Sequence, residues 1–208
     1  MTEESEGAPR PIDRGVARRQ AFMRAAREVF LEQGFEAASV NEVVRRAGGS
    51  LATLYAQFGN KAGLFAAVLQ DHHEAFIEQM KPDVVDHLPL DQALGAVGEK
   101  FTRNLLSRDN LAVFRILIGE GRKFPEELQR YVRASADQVV AVVANVLAQH
   151  KVPVADHAAS ASLLLELLRS RHHYRALIDP SYAITDEQLS QHVANAVRIF
   201  LHGVLSAR

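Results

Sequence analysis

The chain has 208 residues, of which 48% are hydrophobic and 24% charged, proportions that favour a soluble globular protein over a disordered one. It contains no cysteine, which excludes disulfides, thiolate metal sites and cysteine nucleophiles. No stretch approaches the roughly 18 apolar residues of a membrane span, and the first eleven residues are polar and acidic. We therefore expect a cytoplasmic protein without a membrane segment.

The net charge of −1 is unevenly distributed along the chain. Between Arg10 and Lys61, nine Lys and Arg residues oppose five Asp and Glu residues, whereas fifteen oppose seventeen over Ala62–Arg208. A modestly basic N-terminal part on a slightly acidic body suits a protein that contacts a polyanion through one end only. This imbalance permits nucleic-acid binding without requiring it.

Helical periodicity runs through the chain, and neither alternating strands nor Asn-Gly or Asp-Gly hairpin turns interrupt it. We predict an all-α fold of about nine helices after a polar tail at residues 1–11. The predicted helices, in chain order, are about Asp13–Gln33, Val40–Ala47, Leu51–Phe58, Lys61–Met80, Asp91–Leu106, Asn110–Gly119, Pro125–Gln149, Val154–Ile178 and Asp186–Ser206.

Capping signals mark the ends of several predicted helices. Gly34 is placed to end the first helix. Ser39 to Glu42 has the S-x-x-E form of a capping box, in which the Ser hydroxyl accepts from a backbone N–H and the Glu side chain reaches back; Thr185 to Gln188 offers a second box. The two short helices, separated by Gly48-Gly49 and braced by a long first helix, form a helix-turn-helix candidate.

The residues between Phe30 and Leu69 make this candidate specific. The motif consists of Gly34-Phe35, Ser39-Val40, Val43, Ala47-Gly48, Thr53-Leu54-Tyr55, Phe58, Lys61 and Leu64-Phe65. In order and spacing it resembles the N-terminal domain of TetR-family transcriptional regulators, and Thr53–Lys61 is similar to the family's recognition helix and its exit. A second stretch, Glu120–Leu128, resembles the E-x-x-[KR]-F-P-x-L segment of one subgroup of the family's C-terminal domains.

The resemblance implies a helix-turn-helix DNA-binding domain at residues 12–60 and an effector-binding and dimerisation domain at residues 61–208. The predicted DNA-contacting residues are Arg14, Ser39, Asn41, Ser50, Leu51, Ala52, Thr53, Tyr55, Gln57 and Lys61. Leu51 and Ala52 stand where a recognition helix reaches base edges, and being apolar they contact thymine methyl groups but donate no hydrogen bond. By their matching positions in the family, Tyr55 and Lys61 are expected to contact phosphates.

The last two helices are the predicted dimer interface. Their apolar residues extend beyond one face, and such a helix needs a second surface to bury it; the resemblance implies a four-helix bundle across a two-fold axis. The alternative is that both helices face only the chain's own core. The predicted interface residues are Leu164, Leu168, Val193, Val197, Phe200, Leu201 and Val204. A two-fold homodimer implies a palindromic double-stranded DNA operator.

The middle helices are predicted to bind a small-molecule effector, although plain core packing is the alternative for each residue in the set. The predicted pocket residues are His72, Phe76, Phe101, Leu105, Phe114, Arg115, Ile118, Tyr131 and His173. The adjacent pairs His72-His73 and His172-His173 point their rings about 100° apart on a helix. One helix therefore does not readily supply two metal ligands, and we predict neither a metal site nor a cofactor.

These features together predict a ligand-responsive transcription regulator, in the simplest case a repressor. An all-α enzyme is disfavoured because the chain lacks H-E-x-x-H, G-x-S-x-G, a P-loop, a Gly-rich dinucleotide turn and the duplicated Glu-x-x-His of di-iron bundles. The remaining alternative is an all-α ligand-binding or adaptor module that does not bind DNA. Salt-dependent, palindrome-selective DNA binding separates the two.

Overall fold

A computed structural model describes residues 11–81 and 87–205 of the chain. Those residues contain nine α-helices, one short 3-10 helix and no strand, which confirms the all-α prediction. The helices are α1 (Pro11–Ala37), α2 (Val40–Ala47), α3 (Leu51–Phe58), α4 (Lys61–Met80), α5 (Leu90–Leu105), α6 (Arg108–Glu120), the 3-10 helix (Gly121–Lys123), α7 (Glu126–Gln149), α8 (His157–Ile178) and α9 (Asp186–Leu205). Among these helices, none combines the length and apolar character that crossing a bilayer requires.

Capping side chains set the helix ends, and they explain where the observed bounds differ from the predicted ones. Asp156 Oδ1 accepts hydrogen bonds from Ala158 N (2.8 Å) and Ala159 N (3.0 Å), so α8 begins at His157 and not at Val154. Thr185 and Gln188 form the predicted reciprocal box at the start of α9. Most of the predicted tail lies outside the described residues, and α1 already begins at Pro11.

The described residues form two compact units that divide after Gln70, within α4, and not after Asn60 as predicted. The first half of α4 belongs to the N-terminal unit because Phe65 packs on Phe30 (ring centroids 4.7 Å apart) and Phe35 (5.0 Å) of α1. Gly34, with φ of 78°, interrupts α1 at the predicted end and allows Phe35 to reach this cluster. The N-terminal core also buries Phe22, Ala26, Val29, Val43, Leu54, Phe58, Leu64, Val68 and Leu69.

The C-terminal unit, from Asp71 onwards, surrounds one core drawn mainly from α5, α7, α8 and α9. Gly98 marks the closest approach of α5 to its neighbours. A Cβ atom there would lie 2.8 Å from Val193 Cγ1 and 3.1 Å from Leu168 Cδ2. Gly95, one turn earlier on the same helix, has no atom within 4 Å of its corresponding position. Substituting Ala at Gly98 therefore tests close packing, whereas substituting Ala at Gly95 tests helix propensity alone.

We expect Gly98→Ala to lower the free energy of unfolding by about 1–3 kcal/mol, because overpacking against the stiff Val193 side chain outweighs the better helix propensity of Ala. Gly95→Ala is the matched control and should raise the free energy of unfolding by about 0.5–1 kcal/mol. Urea denaturation of both variants measures these changes. Equal stabilisation by the two substitutions would contradict the close approach of α5 to α8 and α9.

Candidate nucleic-acid interface and buried histidine site

Side-chain caps define both short helices of the N-terminal unit. Ser39 Oγ accepts from Glu42 N at 3.4 Å at the start of α2. The reciprocal half of the predicted capping box is not formed: Gln33 Oε1, not Glu42, accepts from Ser39 N at 3.3 Å. Ser50 Oγ accepts from Thr53 N at 3.1 Å and starts α3 as predicted.

The turn between α2 and α3 is held against α1. Gly48 and Gly49 have φ of 69° and 106°, a region that L-residues with side chains rarely adopt. A Cβ atom on Gly49 would lie 3.1 Å from Phe22 Cζ. Arg18 Nη1, one helical turn before Phe22 on α1, donates to Ala47 O at 3.3 Å. Backbone conformation and packing on α1 therefore fix the direction in which α3 leaves the turn.

The two faces of α3 have opposite exposure. Leu54 and Phe58, four residues apart, are buried in the N-terminal core. Leu51 and Tyr55, also four residues apart, are 37% and 40% exposed, and Ala52 and Thr53 beside them are exposed as well. A short helix thus presents a leucine, an alanine and a tyrosine to the outside, which suits contact with a surface outside the chain.

The remaining predicted DNA-contacting residues differ in availability. Arg14, Ser39, Asn41 and Ser50 are exposed. Gln57 is half-buried and its Oε1 has no hydrogen-bond partner in the described residues, so it is turned further inward than a base-reading side chain would be. Lys61 Nζ donates to Glu36 O at 2.7 Å; because an ammonium group has three donors, this bond leaves capacity for a phosphate.

The arginines of α2 belong to an ion-pair network that joins α2 to α1. Arg46 contacts Glu32 (2.7 Å) of α1 and Glu42 (2.8 Å) of α2, and Arg45 contacts Glu42 at 2.6 Å. Hydrogen bonds from Arg45 and Arg46 hold the pKa of Glu42 at about 2, below the usual 4.5. Both guanidinium groups are therefore engaged within the N-terminal unit.

Two arginines of α1 contact α3 or the turn before it, and the sequence analysis did not single out one of them. The guanidinium carbon of Arg19 lies 4.5 Å from the centroid of the Phe58 ring of α3. Arg18 contacts the α2–α3 turn, as described above. No local sequence pattern marks Arg19, because its contact depends on how α1 packs on α3. The basic surface near α3 therefore comes from α1 and not from Arg45 and Arg46.

The predicted dimer residues are mostly part of the chain's own core, which corrects the prediction. Leu164, Leu168, Val193, Val197 and Phe200 are buried among α5, α7, α8 and α9, and Leu201 is half-buried. The side chain of Val204 lies outside the described residues. Buried side chains have no area left to give to a partner, so the apolar stripe read from the sequence is the inward one.

A different set of apolar residues is exposed on α8 and α9. Leu163, Tyr174 and Ile178 point outward from α8, and Ile199 points outward from α9. Tyr174 and Ile178 lie on one regular stretch of α8 and fall within about 40° of each other at 100° per residue, whereas the non-helical Ser170 separates Leu163 from that stretch. This outward apolar set, and not the predicted one, is the candidate surface for a second subunit.

The predicted effector residues separate into three groups. Phe101 and Leu105 are core, and Phe76 packs edge-on to Phe101 with ring centroids 6.1 Å apart. Two members lie at the surface: Ile118 is 67% exposed, and Arg115 is exposed and donates to Leu177 O (2.9 Å) and Ala176 O (2.8 Å) at the end of α8. Three members with polar side chains are partly or fully buried, namely His72, Tyr131 and His173. The ring of Phe114 packs against His173.

His173 differs from its neighbour His172. Nδ1 of His172 is 2.5 Å from Tyr182 Oη, in hydrogen-bond contact. His173 is only 2% exposed, and neither ring nitrogen has a hydrogen-bond partner in the described residues. Burial, and secondarily the positive charge of Arg169, lower the pKa of His173 to about 4. The imidazole is therefore uncharged at neutral pH.

The backbone of α8 is interrupted next to these histidines. Ser170 has φ of 37° and ψ of −151° within an otherwise helical segment. Two residues before the interruption, the Leu168 carbonyl accepts a hydrogen bond from Nε2 of His192 on α9 at 2.8 Å. Strained backbone of this kind persists where the surrounding packing enforces it, often at ligand sites.

A separate groove of about 460 Å³ lies between α5 and α9. Its charged lining comes from Asp91, Glu99 and Arg198, and it contains none of the predicted effector residues. Ser190 Oγ donates to Glu99 Oε1 at 2.7 Å across it. Within residues 11–81 and 87–205, no three His, Cys, Asp or Glu side chains are grouped to hold a metal ion.

Comparison with known proteins covers both units. Residues 22–68 match the model described as bacterial regulatory proteins, tetR family, and residues 92–203 match the AefR-like transcriptional repressor, C-terminal domain. The curated relatives include the transcriptional repressor ComR of Escherichia coli, 38% identical over 74 residues, which are 36% of this chain and 33% of ComR. The chain aligns with only about a third to a half of the length of the first such relatives.

Solved structures match over nearly the whole chain. A TetR-family transcriptional regulator from Mesorhizobium loti superposes with a TM-score of 0.80 at 20% identity, covering 91% of this chain and 98% of the other. The flavonoid-responsive regulator FrrA superposes with a TM-score of 0.75 at 26% identity, covering 89% and 96%. The first of these likenesses concerns the fold alone.

The buried imidazole of His173 leads us to predict how the free energy of unfolding depends on pH. Because the pKa of His173 is about 4 in the folded chain against an ordinary 6.5, the unfolded chain binds more protons between these values. The wild type should lose stability as the pH falls through that window. His173→Phe lacks this loss, so its free energy of unfolding should rise relative to wild type by up to about 3 kcal/mol between pH 7 and pH 4.

Urea denaturation at a series of pH values measures this difference. Gln92→Ala, at an exposed position of α5 without an ionisable side chain, is the control and should keep a constant difference from wild type. A constant difference for His173→Phe as well would show that His173 does not titrate with a lowered pKa.

Proposed function

The chain belongs to the TetR family of bacterial transcriptional regulators, with an AefR-like C-terminal domain, and from this premise we propose that it binds a palindromic DNA operator as a homodimer under the control of a small molecule. The observation that carries the proposal is α3, which leaves a rigid two-glycine turn with Leu51, Ala52, Thr53 and Tyr55 facing outward. Such a protein acts in the cytoplasm, where the bacterial chromosome lies.

In this proposal α3 enters the major groove. Leu51 and Ala52 contact thymine methyl groups, and Thr53 and Asn41 supply hydrogen bonds to base edges. Because Leu51 donates no hydrogen bond, sequence-dependent DNA shape takes a larger share of the specificity. The half-buried position of Gln57 makes it a weaker candidate for base reading than Asn41.

The phosphate contacts surround α3. The Tyr55 hydroxyl and the Lys61 ammonium group contact the DNA backbone, and Arg14 and Arg18 of α1 add positive charge beside the α2–α3 turn. The N-terminus of α2, capped by Ser39, offers backbone N–H groups to a further phosphate. These contacts set the register of the protein on DNA and add affinity that falls with salt.

A second copy of the chain covers the outward apolar faces of α8 and α9. Leu163, Tyr174 and Ile178 of α8 and Ile199 of α9 are exposed in the single chain, and a two-fold axis through these helices would bury them in a four-helix bundle. The two recognition helices then contact half-sites separated by about one DNA turn or a multiple of it. The operator is consequently palindromic.

A small molecule in the C-terminal unit changes the affinity for the operator. The flavonoid-responsive regulator FrrA is similar over 89% of this chain, and the relative ComR is a transcriptional repressor. These likenesses support repression that an effector relieves. By linkage, the operator must then weaken effector binding by the same factor. No catalytic step is part of this function. An adaptor module that binds no DNA is the alternative, and the outward Leu51 and Tyr55 favour the regulator.

Phosphate-contacting and base-reading residues should respond differently to substitution. We expect Tyr55→Phe to weaken binding to all DNA sequences by a similar factor, about 10-fold or more for a hydrogen bond to a charged phosphate. Lys61→Ala should also reduce the slope of log affinity against log salt by about one. Asn41→Ala should instead relax the preference at one position of each half-site.

Fluorescence anisotropy measures these effects, with an operator selected from random-sequence duplex DNA and with its single-base variants. Gln92→Ala, at an exposed position of α5 outside the proposed dimer face, is the control and should leave DNA affinity unchanged. A sequence-specific loss in Tyr55→Phe would contradict a phosphate contact, and an unchanged base preference in Asn41→Ala would remove Asn41 from the reading set.

The dimer proposal makes a separate prediction. Ile199→Glu and Leu163→Glu place a carboxylate in the α8–α9 interface, so each should shift the dimer towards monomer by at least about tenfold in the dissociation constant. Val16→Glu is the matched control, because Val16 is an exposed apolar residue of the N-terminal unit. Sedimentation velocity measures the state of each variant. Dimers of unchanged stability in both interface variants would place the interface elsewhere.

A further inference from the structure

His173 stands apart from the other partly or fully buried histidines of the described chain. Six of these pair their ring nitrogens with hydrogen-bonding partners: His72 with Asn110, His73 with Gln138, His150 with Leu88 O, His157 with Val152 O, His172 with Tyr182 and His192 with Leu168 O. His173 is buried to 2% exposure, and both of its ring nitrogens are unpaired in the described residues. Because unpaired buried polar groups are costly, a ring in this position calls for a partner from outside the chain.

The surroundings of His173 include an aromatic ring, that of Phe114, and a hydrogen-bond donor, the guanidinium group of Arg169. The ring of Phe114 on α6 packs edge-to-face with His173, with centroids 4.7 Å apart. The guanidinium carbon of Arg169 lies 5.7 Å from the centroid of that same Phe114 ring. Nε of Arg169 is also buried and unpaired, although Nη1 bonds Glu166 at 2.9 Å. Phe114 is therefore flanked by two unsatisfied nitrogen-bearing side chains.

Helix α7 carries two buried hydroxyl groups, those of Tyr131 and Ser135. A short connection at residues 150–156 joins α7 to α8, and the two helices pack along one another. Tyr131 and Ser135 of α7 are about as far along the chain from this connection as His173 is. Both hydroxyls are buried and lack a partner of good hydrogen-bond geometry, although Ser135 lies close enough to Tyr131 to oppose the rise that burial causes in the Tyr131 pKa.

The hydrogen-bonding capacity of the His173 ring favours some functional groups on a ligand over others. An uncharged imidazole offers one N–H donor and one bare nitrogen that accepts. A carboxylate only accepts, so it would leave the bare nitrogen unpaired unless the ring were protonated, which burial and Arg169 oppose. An ammonium group only donates, and it would add a second positive charge beside Arg169. A hydroxyl group both donates and accepts, and it carries no charge.

We propose that the effector of this regulator is an uncharged, largely apolar molecule whose hydroxyl group hydrogen-bonds the buried ring of His173 while its apolar part packs on Phe114. The ligand hydroxyl donates to one ring nitrogen and accepts from a neighbouring N–H or O–H. The proposal rests on the proposed function of the C-terminal unit as the effector site.

Three probes that share one ring system test this chemistry: 2-naphthol, naphthalene and 2-naphthoate. Isothermal titration calorimetry on the full-length dimer should show 2-naphthol binding about 10-fold more tightly than naphthalene, the effect of one or two neutral hydrogen bonds, and more tightly than 2-naphthoate. His173→Phe should abolish the preference for the hydroxyl while retaining naphthalene binding. His173→Gln, which keeps a donor and an acceptor, should retain part of it.

Gln92→Ala, at an exposed position of α5, is the control and should bind all three probes as the wild type does. Near-ultraviolet circular dichroism checks that each variant is folded. Equal affinity for 2-naphthol and naphthalene, tighter binding of 2-naphthoate, binding of none of the three at millimolar concentration, or a preference that survives in His173→Phe would each overturn the proposal.

Operator binding, measured in the same preparations, separates this proposal from the regulatory one. Binding of 2-naphthol through His173 with no effect on operator affinity would keep the ligand site and refute its regulatory role. Operator binding by a protein that fails the probe tests would keep the regulator and refute the ligand chemistry.

Discussion

The turn between α2 and α3 is the constraint on which the N-terminal unit depends. Gly48 and Gly49 both have positive φ, and Phe22 of α1 occupies the space that a side chain on Gly49 would need. A side chain at Gly49 would therefore disturb both the backbone conformation of the turn and its packing on α1. That conformation buries Leu54 and Phe58 and leaves Leu51 and Tyr55 outside. The apolar side chains of α3 are exposed because the opposite face of the helix is packed in the core. This exposed face suits contact with a rigid external partner such as duplex DNA.

Hydrogen bonds in the C-terminal unit connect the His173 site to α4, the helix that continues into the N-terminal unit. Phe114, which packs on His173, lies on α6 one turn from Asn110, and Asn110 Oδ1 is 3.0 Å from His72 Nε2 on α4. His73, next along α4, is 2.7 Å from Gln138 Oε1 on α7. A ligand that moves Phe114 would act on the same helix, α6, that holds α4. This gives effector binding a physical means to bias α4, with coupling typically of about 1–3 kcal/mol.

Local signals in the sequence were sufficient for the helix-turn-helix but not for the C-terminal unit. Glycines, capping serines and the Leu54/Phe58 spacing are short-range features, and α2 and α3 have the predicted bounds. The dimer residues were misassigned because spacing such as that of Val193 and Val197 shows that a face is apolar, but not whether it meets its own core or a partner. The break at Ser170 has no sequence signal, since it is neither Gly nor Pro. The unpaired ring of His173 is visible only once the positions of all neighbouring helices are known.

DNA recognition by the outward face of α3 is tested most directly by selecting the full-length protein against random-sequence duplex DNA at two salt concentrations. Enrichment of a two-fold palindrome, lost in parallel selections with Leu51→Glu and weakening steeply as salt rises, is the predicted result. A folded dimer that enriches no sequence at low salt, or whose enriched sequence is unaffected by Leu51→Glu, would contradict the assignment of α3 as the recognition helix.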